Sequence, residues 1–354
     1  MTNQDDCTPK HPKAPAGGVC RNQSKAELSD AGVPGAAVGT VYESVTNFVG
    51  LPRKFDVILT NPPFQDSVQR GKTPHKLWID FTRAVFARFL ADGGLVCQVS
   101  PSSYGSPCNE VLSLMKQNET LLLRHDTNTH FPGVASSFSD YIIRKTPNSG
   151  VPTRIIVGGT EDSVVLDQNL FYIPNDLVAC AIAVHRKVVF DKTRPRLRVE
   201  KDYITCHNSL LKRSDTLSHT RTERHCFPVF HTNRQIWWSS VRQPWADSPK
   251  VMWTRSGYTK PFFDNGRYGG TDMAYFVQVR NPTEGEILAH NLNLELMRYI
   301  YRTARWSGFG NERVFAALPD LPRDKRLTDE DAFALFSLTD KEVHYVRAAL
   351  GQGR

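Results

Sequence analysis

The chain has 354 residues, 40% of them hydrophobic and 23% charged, the balance of a globular protein long enough for two cores. No apolar run approaches the roughly 20 residues of a membrane span, the polar N-terminus is unlike a secretory signal, and the seven cysteines form no Cys-x-x-Cys pair. Together these exclude a membrane protein, a disulfide scaffold and a zinc ribbon, and they point to a reducing cytoplasm. The formal charge of +8 favours a polyanionic partner.

Met1 to Asp30 is polar and proline-containing, with few bulky apolar residues, so it reads as disordered or linker-like. The first glycine cluster, Gly32 to Gly39, has no clear strand before it and a proline inside it. It reads as linker more readily than as a cofactor-binding turn. Residues 1–50 are therefore set apart from the folded body.

Phe55-Asp56-Val57-Ile58-Leu59-Thr60-Asn61-Pro62-Pro63-Phe64 is the most informative stretch. Its apolar run predicts a buried strand. Two prolines cannot continue a central strand, so the chain must leave the sheet at Asn61, at the strand's C-terminal edge. There, Asn61 can accept one hydrogen of an exocyclic amino group, and a rigid Pro-Pro backbone can aim a carbonyl, most naturally that of Pro62, at the other. Phe64 can stack on the base, an interaction worth roughly 1–3 kcal/mol. With both hydrogens held, the nitrogen lone pair is left to attack a methyl donor without a strong general base. The bland alternative is a simple turn.

Gln65 to Pro74 reads as a polar loop, and His75 to Leu90 as an amphipathic helix carrying Leu77, Trp78, Phe81, Val85 and Phe89. Asp92-Gly93-Gly94 is its expected stop, and Leu95 to Val99 the next strand. One βαβ crossover predicts parallel neighbouring strands, so Ser100-Pro101-Ser102-Ser103-Tyr104 should emerge beside Asn61. A helix is expected from near Pro107, a strand at Tyr141–Ile143, and a hairpin pairing Thr153–Val157 with Val164–Leu166 around Gly158-Gly159. Asn175 to Phe190 reads as a further helix.

Residues 183–260 hold 16 Lys or Arg against 6 Asp or Glu, a local excess larger than that of the whole chain. Arg234, Trp237, Trp238, Arg255, Tyr258 and Lys260 interleave cations with aromatics, as a DNA-gripping surface would. Solvated charges over core tryptophans are the alternative. Cys206, His207, His219, His225, Cys226 and His231 match no tetrahedral zinc spacing. Leu288 to Thr303 reads as one amphipathic helix. Thr328 to Asp331 and Thr339 to Glu342 read as capping boxes opening two terminal helices.

The segment FDVILTNPPFQ resembles the motif after the fourth strand of N6-adenine DNA methyltransferases. More specifically, it is similar to the type IIG restriction–modification methylase family in its short, phage-like form. The stretches 76–100 and Phe131 to Lys145, and the C-terminal WSGFGNERVFAALPDLP and LTDEDAFALFSLTDKEV, extend the resemblance over roughly residues 53–350. It implies an α/β fold: an incomplete Rossmann-like methyltransferase domain (51–182), an α+β target-recognition domain (183–322) that reads double-stranded DNA, and a C-terminal helical segment (323–354). It implies methyl transfer from S-adenosylmethionine to N6 of a flipped adenine, with Asn61, Pro62, Pro63 and Phe64 as the catalytic segment. Tyr104, Phe131 and Phe138 become candidates beside the base, and the cell a bacterium or a phage-infected host.

The chain departs from that family upstream. The family's Phe-x-Gly-x-Gly turn and two acidic residues need on the order of 80–100 residues before the motif, and 60 precede Asn61, with Glu43 a poor acidic match. The expected alternatives are a catalytically inactive DNA-binding module, or one half of a two-chain system whose partner binds the cofactor. Methylation of a protein glutamine amide could use the same Asn-Pro-Pro logic, but the basic region argues against it. No nuclease motif is apparent.

Overall fold

The computed structural model describes residues 54–64, 76–125, 127–130, 137–213, 215–232, 235–256, 260–306 and 310–351. Gly32–Gly39, Glu43, the loop 65–74, Phe131, Arg234 and Tyr258 lie outside them. All the described elements belong to one unit, residues 53–354.

The first sheet opens with the predicted strand, helix and parallel strand, but the first strand is not the buried one expected: none of its six residues is buried. Strand β1 (Phe55–Thr60) leads through helix α1 (Leu77–Ala84), continued by a π-helical turn Val85–Phe89, into β2 (Leu90–Pro101), its parallel neighbour. The glycines stop no helix, because the helix has already ended at Phe89. They instead form an irregularity inside β2, where the register steps from Phe55↔Leu90 to Val57↔Leu95. Gly93 has φ +81° there, and a Cβ on Gly94 would sit 3.0 Å from the Asp56 carbonyl.

Helix α2 (Glu110–Gln117), capped by the Asn109 side chain, runs directly into β3 (Asn118–Arg124), a strand not predicted from sequence. Next come β4 (Phe138–Pro147), β5 (Thr153–Val157) and β6 (Thr160–Val164). Gly158 and Gly159 both have positive φ and make the tight two-residue hairpin turn, so β6 starts earlier than predicted. The six strands lie in the order β1-β2-β4-β3-β5-β6, with β4 antiparallel to β2 and β3, and β3 parallel to β5. This is the α/β class expected from the sequence.

One face of the sheet packs against α1, α2 and α3 (Ala179–His185), burying Trp78, Val96, Leu112, Met115, Leu123, Tyr141 and Ile182 in one core. The other face differs. Val57 pairs with Leu95, and Leu59 with Cys97, so these four side chains share a face. Val57 is 56% and Leu59 77% exposed. On the side of β1 away from β2, no further strand is found among the described residues.

Beyond α3 and its π-helical continuation Arg186–Phe190 come α4 (Leu210–Arg213), β7 (Leu217–Ser218), β8 (Phe227–Thr232), β9 (Gln235–Ser239), β10 (Pro249–Thr254), β11 (Phe262–Asn265), β12 (Gly269–Gly270) and β13 (Ala274–Gln278). They make two small sheets, β11-β10-β13 and β12-β8-β9-β7. The predicted helix 288–303 is two helices, α5 (Pro282–Asn291) and α6 (Glu295–Thr303), broken at Leu292-Asn293-Leu294. Helices α7 (Glu312–Ala316), α8 (Asp329–Leu335) and α9 (Asp340–Gly351) follow. Thr328 and Asp331 form the reciprocal capping box predicted for α8. Thr339 and Glu342 exchange the corresponding bonds before α9.

The second core is built from β10, β13 and these helices together, with Phe333, Phe336 and Val346 contributing from the last two. Helix α3 spans the boundary expected at 182/183: Ile182 joins the first core, while Ala181 and Val184 join the second.

His185 at the end of α3 binds the two parts together. Thr303 Oγ1 donates to the Tyr299 carbonyl at 2.8 Å, so at 2.7 Å it accepts from His185 Nε2. The other ring nitrogen, Nδ1, then accepts the Tyr172 hydroxyl at 2.6 Å. This network requires a neutral ring, and full burial lowers the His185 pKa from 6.5 to about 3. Because the folded state binds the proton more weakly than the unfolded chain does, the contribution is complete above pH 6.5 and is lost as pH falls from 6.5 toward 3. The loss should reach about 2 kcal/mol by pH 5. Urea midpoints measured from pH 7 to pH 5 should fall less steeply for His185→Gln than for the native chain; parallel curves would refute this account.

Candidate active site

β1 and β2 are parallel, so their C-terminal ends reach the same edge of the sheet. Thr60 pairs with Gln98, and the chains leave as Asn61–Phe64 on one strand and Ser102–Pro107 on the other. Asn61 and Pro63 are exposed, Pro62 is buried and Phe64 is half-buried. The buried Pro62 ring anchors the bend while the amide beside it faces solvent. Antiparallel pairing sets Phe138 opposite Pro101 at the same edge. Phe64 packs on Phe138 with ring centroids 5.0 Å apart and planes tilted by 30°, a pair worth about 0.5–1.5 kcal/mol. The structure thus brings the Asn-Pro-Pro-Phe bend and Phe138 together.

Beneath them runs a chain of hydroxyls. Ser102 Oγ lies 2.8 Å from Ser139 Oγ, which lies 3.0 Å from His125 Nδ1. Thr127 donates to Asp140 at 2.6 Å. These residues fix the strand ends that carry the aromatic pair. Ser102 was expected at this edge, whereas Ser139, His125, Thr127 and Asp140 were missed because isolated polar residues carry no periodic signal.

Other expectations need correction. Tyr104 is 1% exposed and meets Tyr141 edge-on at 5.4 Å. Burial pushes its hydroxyl pKa up to about 12. It is a core residue of the sheet and does not reach a base at the surface. Trp237 is 7% exposed and stacks on His231 at 3.6 Å, closing the small core under β8 and β9, so it offers no face to DNA. Trp238 is half-buried, with the Arg221 guanidinium 5.4 Å above its ring. Lys260 is exposed, and half-buried Arg255 belongs to the cleft described next.

Gly105 is where the C-terminal part meets this edge. Its carbonyl accepts from the Ile173 amide at 2.8 Å, and the Ile173 carbonyl accepts from Trp306 Nε1 at 2.9 Å. A Cβ on Gly105 would lie 2.9 Å from Trp306 Nε1 and 3.1 Å from the Ile173 carbonyl. Only glycine admits this approach. The junction sets the segment 310–313 opposite Ser103–Pro107 across an open cleft of about 450 Å³.

No protein-family model matches the chain, and no curated protein matches it. Among solved structures, the type IIL restriction-modification enzyme MmeI in complex with DNA is similar at 10% identity and a TM-score of 0.44, over 74% of this chain and 45% of that one. A nuclease-deletion mutant of the type ISP restriction-modification enzyme LlaGI with a DNA substrate mimic is similar at 11% identity and a TM-score of 0.41, over 75% and 33%. The type IIG restriction endonuclease BpuSI is similar at 10% identity and a TM-score of 0.30, over 80% and 49%. The chain spans less than half the length of each.

Gly105→Ala should cost about 1–3 kcal/mol by forcing Trp306 and Ile173 apart. An unchanged thermal midpoint for this variant would show that the junction does not hold the two segments in this way.

Proposed function

We propose that this chain is a DNA methyltransferase-like protein that holds N6 of an extruded adenine at the Asn61–Phe64 bend for methylation by S-adenosylmethionine. The supporting observation is an exposed Asn-Pro-Pro bend at the end of a parallel strand, with an aromatic ring braced beside it. Extrusion costs a few kcal/mol, and the gain at the site comes from orientation. The Asn61 side-chain oxygen accepts one amino hydrogen and the Pro62 carbonyl accepts the other. Phe64, backed by Phe138, carries the purine face, which leaves the amine lone pair directed at the donor.

The described residues do not close a pocket for the donor. Val57 and Leu59 leave one face of β1 open to solvent, and on the side of β1 away from β2 no further strand is found among the described residues. No step through the donor is therefore derived; when bound, it supplies the methyl group.

That open edge also favours a second reading, in which the chain is an inactive or split DNA-binding module whose partner chain binds the donor. Calorimetry of the isolated chain with S-adenosylmethionine separates the two, because a heat of binding rules out the module that lacks the donor site.

Asn61→Ala should lower transfer of a labelled methyl group to duplex DNA by roughly a hundredfold, the loss expected when an oriented polar contact to the reacting group disappears. DNA affinity and thermal midpoint should stay unchanged. An unaltered transfer rate would defeat the assignment.

A further inference from the structure

The cleft between Ser103–Pro107 and the segment 310–313 is unused by the mechanism above, and its lining is chemically one-sided. Lys76 enters from the start of α1, Arg255 from the end of β10 and Arg313 from α7, with the Trp306 indole among them. Lys76 and Arg313 are exposed, and neither is ion-paired among the described residues. Among the described residues the Arg313 guanidinium reaches only the Pro107 carbonyl, at 3.4 Å. The single carboxylate of the lining, Glu312, already accepts from Lys201 Nζ at 3.1 Å and from the Tyr275 hydroxyl at 3.3 Å. Lys76 and Arg313 therefore have no carboxylate partner among the described residues, and the one carboxylate of the lining is engaged elsewhere.

Hydrogen bonds hold the backbone that carries Arg255 and Arg313. The Arg255 amide donates to the Met273 carbonyl at 2.9 Å, and its carbonyl accepts the Gly310 amide at 2.6 Å. Gly310 is required because a Cβ would lie 2.5 Å from the Phe315 ring. Asn311 caps α7 by accepting the Arg313 amide. Cations from three elements, converging on one concavity beside an indole, suit a polyanion with spaced charges. They disfavour a sulfonium donor, which is itself cationic.

Resting on the reading of the bend as an adenine site in DNA, we propose that this cleft is a phosphodiester clamp. Lys76, Arg255 and Arg313 hold the DNA backbone next to the extruded nucleotide, independently of base sequence.

The test is anisotropy of a labelled duplex titrated with the full chain at several salt concentrations. The comparison is between the native chain, Lys76→Ala/Arg313→Ala and, as a charge control away from the cleft, Lys341→Ala. Each phosphate contact contributes about 0.9 to the slope of log affinity against log salt. The double variant should therefore flatten that slope by nearly two and weaken binding about tenfold or more at physiological salt, to the same extent on unrelated sequences. Lys341→Ala should leave the slope in place. If the native chain binds DNA and the double variant keeps its slope, the clamp is overturned while the adenine reading stands. If the native chain binds no duplex at low salt, the adenine reading falls and the clamp with it.

Discussion

Two parallel strands joined by a single helical crossover must end at the same edge of their sheet, and the rest of the site follows from that constraint. The β1–β2 register, Leu59 with Cys97 and Thr60 with Gln98, fixes how far each strand runs before it leaves. Because β4 returns antiparallel to β2, its first residue, Phe138, is the one placed where Pro101 exits. The Phe64–Phe138 contact is thus a consequence of register. A slip of one residue in β4 would send Phe138 to the opposite face and remove the support under Phe64.

The edge is completed from a distance in sequence. Residues 172–185 belong to both cores at once: Ile173 and Ile182 lie in the first, Tyr172 and Val184 in the second. This ribbon joins the two cores. His185 and Thr303 close it from below, and Trp306 closes it from above through the Ile173 carbonyl.

Much of the first sheet was legible in the sequence because its signals are local. A short apolar run cut off by two prolines, a helical stripe, and a Gly-Gly pair between β-branched residues each specify one element. What was illegible depends on tertiary context. Strand β3 begins Asn-Glu-Thr directly after a helix, with no turn residue to announce it. Helices α5 and α6 read as one because Leu292 and Leu294 at the break are themselves good helix formers; at the break Leu292 packs into the second core, Leu294 into a small satellite with Leu327 and Ala332, and the Asn293 side chain donates to the Pro261 and Ala289 carbonyls. Tyr104 was placed beside a ligand by its position after the second strand and Trp237 by its cation-rich surroundings, and neither signal tells a buried ring from an exposed one. The Asn61 bend was legible as geometry, but the hydroxyl chain through Ser102, Ser139 and His125 was not.

The basic region shows how composition and availability differ. Lys250 contributes to the excess in 183–260, yet it is fully buried, 2.7 Å from Asp264, and donates to the carbonyls of Ala246 and Ser248. Arg194 and Arg196 donate to the carbonyls of Leu335 and Ala317, and Lys187 bridges to Glu342, tying the terminal helices to the body. Arg242 and Arg224 are paired with Asp247 and Asp215. Such pairs contribute little attraction for a distant polyanion, because each cation's field is largely cancelled within a Debye length of about 8 Å. The cations that count for an external partner are those whose partners are absent or turned away. Lys76 and Arg313 lie outside the basic region altogether, on elements whose own composition gives no hint of it. A count of charge along the chain finds the part of the fold held together by Lys and Arg. Only the geometry of the cleft shows where positive charge remains unanswered, and that place is the same edge to which the β1–β2 register delivers Asn61.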